Sequence, residues 1–63
     1  MTCALVLIGA YWINTCQILY LRDYRSDRFG ADPEMQCVIV FAGAYSREVE
    51  IPCATVAELL RNG

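Results

Sequence analysis

Cys53 lies two residues before Thr55, where the chain turns into a helix, and it is the nearest thing here to a nucleophile. A helix N-terminus favours the thiolate, and the thiolate is the attacking form. A cysteine nucleophile also needs a base or a strongly lowered pKa, and the chain has no His. Cys53 therefore reads as a packed residue at the end of a strand. Glu48 and Glu50 are the closest acidic pair. On one face of a strand they stand about 7 Å apart by the strand rise. That spacing suits a bound cation or a glycosidase-like pair. It equally suits the solvated face of an edge strand, where charge discourages aggregation, and that is the reading taken. No catalytic residue is expected, and no enzyme.

Metal chemistry is also poorly supplied. The four cysteines are Cys3, Cys16, Cys37 and Cys53, with no close pair among them. A zinc site built from cysteines normally includes a close pair that forms a knuckle. No metal and no cofactor are expected. Four cysteines allow three disulfide pairings. Each one, however, sits within or beside an apolar run. The expectation taken is buried, reduced thiols acting as small hydrophobes.

Recognition chemistry is richer. Tyr20, Arg22, Tyr24, Arg25, Arg28 and Phe29 interleave aromatic and guanidinium groups. Such a set stacks on bases and holds phosphates, and it is also the composition of protein-interface hot spots. Asp23 and Asp27 dilute its positive charge. The whole chain carries a net charge of −2, which argues against non-specific nucleic-acid binding. A protein partner is the expectation and nucleic acid the alternative.

These side chains need elements to position them. Ala4–Ile8 is a continuous apolar run that reads as a strand buried on both faces. Gly9-Ala10 makes a tight turn, with Gly at the position needing positive φ. Tyr11-Trp12-Ile13 returns as the partner strand. Asn14 bonds its own backbone two residues on and caps a short helical turn through Gln17. Ile18–Tyr24 is a third strand, with Leu19 and Leu21 on one face and Tyr20, Arg22 and Tyr24 on the other. Residues 25–34 form an exposed loop. Val38–Phe41 and Arg47–Ile51 make a hairpin around Ala42–Ser46, with Val49 and Ile51 facing one way and Glu48 and Glu50 the other. Pro52 ends the strand. Thr55-x-x-Glu58 then matches a capping box and opens a helix over 55–61, with Val56, Leu59 and Leu60 as its apolar stripe.

The order of these elements resembles the flagellar FlbD family of short bacterial β-rich proteins. The resemblance rests on Trp12-Ile13-Asn14 followed by Ile18 and Leu21. It continues through the Val38–Phe41 and Val49–Ile51 strand pair and the closing helix from Thr55. It implies a small cytoplasmic accessory protein connected with motility and without catalysis. The last third is also similar to the opening hairpin and helix of ubiquitin-like sulfur carriers, but lacks their later strands and Gly-Gly tail.

Bulk composition adds a demand for a partner. A chain of 63 residues buries only about 60% of its unfolded surface. Here 57% of residues are hydrophobic and 19% charged, more apolar than is usual for a soluble domain. Self-association is expected through Leu5, Leu7, Tyr11 and Trp12. Residues 3–21 carry no charge, so a single-pass membrane span over 3–21 is a second alternative. Asn14, Thr15 and Gln17 inside that stretch speak against it. Taken together, residues 1–63 read as one mainly β (α+β) domain, a small antiparallel sheet or partly open barrel of about five short strands with one C-terminal helix. The function expected is that of a cytoplasmic accessory or regulatory protein that self-associates and binds another protein.

Overall fold

The computed structural model describes residues 3–62. Five antiparallel strands and one helix follow one another as β1 (Leu5–Ile8), β2 (Tyr11–Asn14), a 3-10 turn (Thr15–Gln17), β3 (Ile18–Asp23), β4 (Cys37–Phe41), β5 (Tyr45–Val49) and α1 (Cys53–Asn62). The strands form two sheets rather than a barrel. One is the β1-β2 hairpin and the other a β3-β4-β5 meander.

The first hairpin closes as its sequence requires. Ile8 pairs with Tyr11 across Gly9-Ala10, and Gly9 has φ +61°. Positive φ at the first of two loop residues is the mark of a II′ turn, whose twist matches that of the strands. A Cβ at Gly9 would come no closer than 3.8 Å to Ile51, so backbone conformation, not space, demands glycine there. Downstream, the Asn14 side chain accepts a hydrogen bond from the Cys16 N–H at 3.0 Å. This is the cap expected for the 3-10 turn.

The core lies between the two sheets and the helix. Ile8, Ile13, Cys37, Ile39, Val49 and Val56 form one buried cluster, with Val6, Ile18, Leu21, Ile51 and Leu60 packed against it. The hairpin and α1 therefore share one face of the β3-β4-β5 sheet, and α1 packs against β1 and β3. The N-terminal strands thus occupy the apolar face offered by Val49, Ile51, Val56 and Leu60.

Four expectations need correction. First, β1 is not buried on both faces. Leu5 and Leu7 are 66% and 47% exposed, while Ile8 is fully buried, because the second sheet covers only one side. Second, Leu19 and Leu21 do not share a face. The pairing of β3 with β4 slips between Ile18 and Tyr20, and Leu19 is left 64% exposed. A bulge of this kind reverses the alternation on one side of it. Third, Thr55 is not a helix cap. The Val56 N–H donates to the Pro52 carbonyl at 3.0 Å, so the helix starts at Cys53. Proline ahead of the first turn sacrifices no hydrogen bond and presets φ. Glu58 accepts from Arg61 at 2.9 Å instead of closing a box with Thr55.

The fourth correction concerns the cysteines. They form two disulfides, Cys3–Cys16 and Cys37–Cys53. The first clamps the open end of the β1-β2 hairpin and the second ties the start of β4 to the start of α1. Cys37 is indeed buried, but as half of a cross-link rather than as a thiol. In place of the alternative span over 3–21 stand β1, β2, the 3-10 turn and the beginning of β3. Among the described residues no helix is long and apolar enough to cross a membrane.

Candidate functional site

The solvent face of the β1-β2 hairpin gathers three large exposed apolar side chains on one surface. Leu7 pairs directly with Trp12. Leu5 is two residues along the same strand, so it points to the same side. Their exposures are 66% for Leu5, 47% for Leu7 and 67% for Trp12. Asn14, opposite Leu5, completes the face. Ionisable charge is missing from it because residues 3–21 contain none.

This face is held from every side. At its open end lie the Cys3–Cys16 disulfide and two bonds between Ala4 and Thr15. The Thr15 N–H donates to the Ala4 carbonyl at 2.9 Å, and the Ala4 N–H donates to Thr15 Oγ1 at 3.1 Å. At its closed end is the II′ turn. Beneath it, Ile8 and Ile13 are anchored in the core. Tyr11 departs from the expected set. It lies opposite Ile8 on the inward side, and the Arg47 guanidinium sits 4.5 Å from its ring centroid. A cation over an aromatic face is attractive at this distance. Tyr11 therefore joins the hairpin to β5 instead of extending the Leu5, Leu7 and Trp12 surface.

The aromatic and arginine surface occupies the opposite side of the meander. Tyr20 pairs with Val40 and Arg22 with Val38, so both project from the face away from the core, as their alternation predicts. The following loop folds back over this face. The Tyr24 hydroxyl accepts from the Asp32 N–H at 2.9 Å. Arg28 lies 5.4 Å from the Tyr24 ring centroid and 3.7 Å from a Glu48 carboxylate oxygen. Tyr24 extends from β3 and Glu48 belongs to β5, so Arg28 crosses above β4. Val38, paired with Arg22 and Glu48 on that side of β4, is 2% exposed. Arg25 stands 3.6 Å from Asp27. Tyr24 and Arg25 thus contact the loop and Arg28 contacts Tyr24 and β5, whereas Tyr20, Arg22 and Phe29 remain outward. Phe29 is fully exposed.

The remaining sequence candidates supply no reactive group. Cys53 is bonded to Cys37 and has no thiol to ionise. Glu48 is paired with Arg28, and Glu50 lies past the end of β5. A shallow recess of about 280 Å³ runs between the hairpin tip and β5, lined by Tyr11, Met35, Glu48, Glu50 and Ile51 among others. It brings together carboxylates and apolar groups but no nucleophile with a base. Sequence reasoning missed the pairing of the cysteines and the contact of Arg28 with Glu48, since both depend on contacts between distant segments. Comparison with known proteins finds no matching family model, no matching curated protein and no matching solved structure.

Proposed function

We propose that this chain is a non-catalytic binding module whose working surface is the outer face of the β1-β2 hairpin. The observation that carries the reading is the placement of Leu5, Leu7 and Trp12. Three large apolar side chains are held in water on a rigid, uncharged hairpin, cross-linked at one end and turned tightly at the other. Preorganised aromatic and aliphatic anchors of this kind supply most of the energy of protein interfaces. Leaving them wet costs a small domain stability that a partner restores.

The regulatory or accessory role expected from the sequence fits such a module. The cytoplasmic location does not. Two disulfides favour a chain that works in an oxidising compartment, where such bonds persist, and we place it there. The nucleic-acid alternative is not carried forward, because the chain's net charge is −2 and the carboxylates of Asp27 and Glu48 lie beside Arg25 and Arg28, diluting the positive potential that phosphate binding needs.

The test is a photo-reactive phenylalanine analogue in place of Trp12, introduced in cells that make the protein. Irradiation should link position 12 to one protein, and a matching probe at Leu19 should not produce the same adduct. Equal labelling from both positions, or none to any protein from position 12, would overturn the reading.

A further inference from the structure

We propose that Cys3–Cys16 is a redox-operated clamp: a dithiol that opens it frays the open end of the β1-β2 hairpin and disperses the Leu5, Leu7 and Trp12 face, while Cys37–Cys53 holds the rest of the fold. The proposal rests on the reading of that face as a binding surface and adds its regulation. The two disulfides differ in access. Cys3 and Cys16 are both exposed. Cys37 is fully buried in the core cluster, and its partner Cys53 packs against that cluster. Thiol–disulfide exchange needs an attacking thiolate to reach a sulfur, so access favours the outer bond.

The exchange balances with the dithiol as its one co-reactant. A thiolate of the dithiol attacks Sγ of Cys3 or Cys16, the S–S bond breaks, and the departing thiolate takes up a proton. The second thiol of the reductant then attacks the mixed disulfide and displaces the other cysteine. The reductant leaves as an intramolecular disulfide, and the protein has gained two electrons and two protons as a pair of thiols. In an oxidising compartment the bond re-forms once the dithiol is spent, so the clamp is reversible.

The position of the bond decides what its opening does. β1 and β2 form a two-stranded sheet of four residue pairs, a unit that is marginal in water by itself. Its closed end is seated by the II′ turn and by Ile8 in the core. Its open end is held by Cys3–Cys16 and by the two hydrogen bonds between Ala4 and Thr15. Once the sulfurs part, those two bonds alone restrain an exposed strand end, which is where local opening begins. Leu5 lies at that end opposite Asn14, and Leu7 follows opposite Trp12. Fraying therefore removes Leu5 first and takes the three side chains off a common surface. The meander does not depend on this clamp. β4 is paired along both of its edges, and Cys37–Cys53 ties it to α1.

Hydrogen exchange read by mass spectrometry on the full chain tests the proposal. The oxidised protein is compared with protein treated briefly with dithiothreitol and alkylated, and with Cys3→Ser/Cys16→Ser, which lacks the clamp without any reductant. Cys3 and Cys16 should be alkylated while Cys37–Cys53 stays closed. In both opened forms, amides of β1 and β2 should exchange about tenfold faster or more, with β3, β4, β5 and α1 unchanged. In cells, Cys3→Ser/Cys16→Ser should remove the photo-adduct formed from position 12. Opening of Cys37–Cys53 first would overturn the proposal. So would hairpin exchange that ignores the clamp, exchange that rises equally throughout the chain, or an adduct that survives the double substitution. Faster hairpin exchange on opening, in a protein whose oxidised form gives no adduct from position 12, would refute the binding module and leave the clamp standing.

Discussion

Ala44 shows how one residue can work against its own turn. It has φ +66° beside Gly43 at φ +85°, in the loop that joins Phe41 to Tyr45. The left-handed region is unfavourable for a residue with a Cβ, by roughly 1–2 kcal/mol. Ala44→Gly should relieve that strain while losing some entropy advantage in the unfolded chain. The expected gain is about 0.5–1 kcal/mol, read as a raised midpoint of thermal unfolding. An unchanged or lowered midpoint would show that the turn is not strained. At the centre of the molecule the balance is the reverse. Ile39 is fully buried on the middle strand, and Ile39→Ala should cost about 2–5 kcal/mol. In a domain this small, that approaches the whole stability. Denaturant titration would register it directly.

Elements were legible where their signals are local. Gly9 and Asn14 announced a tight turn and a capped 3-10 turn because each acts within two residues of itself. Five strands and a closing helix followed from apolar patterning. The failures share a different cause. The bulge at Leu19 leaves no trace in the alternation of Ile18–Tyr24, because the slip is decided by how β4 fits against β3. Thr55-x-x-Glu58 has the composition of a capping box, yet Pro52 and the Cys37–Cys53 link begin the helix earlier. Thr55→Ala should consequently cost less than about 0.5 kcal/mol, against about 1 kcal/mol for a true cap. Disulfide pairing was hidden because spacing along the chain does not reveal which cysteines meet in space. The two links should respond differently to a dithiol reductant. Cys3 and Cys16 are both exposed, whereas Cys37 is fully buried, so Cys3–Cys16 should open first. Mass mapping after brief reduction and alkylation would detect the order, and earlier labelling of Cys37 would contradict it.

The whole molecule is a small core secured by cross-links. The links close sequence separations of 13 and 16 residues, each worth about 3 kcal/mol in a chain-entropy account. A 63-residue chain seldom has that much stability to spare, so complete reduction should unfold it. What the cross-links protect is also what the sequence hinted at least completely. Leu5, Leu7 and Trp12 were legible as a set from the apolar first strand and the Tyr11-Trp12 pair, and the fold leaves all three exposed on one face. Tyr11 was wrongly grouped with them, because an isolated Tyr-Trp pair does not say which ring faces inward. The aromatic and arginine segment looked the stronger site on paper. Carboxylates of Asp27 and Glu48 lie beside two of its guanidinium groups, while Tyr20 and Phe29 stay exposed.

Trp12 is the chain's one tryptophan, and it stands at the centre of the face to which function is assigned. Its fluorescence therefore reports on that face without a label. Emission from the oxidised protein should move from the long wavelengths of a wet indole toward the blue as concentration rises from about 1 µM to about 1 mM. The shift should be absent in Leu7→Glu. An emission maximum that stays at the wet position throughout that range would contradict the expectation that the chain associates through this face.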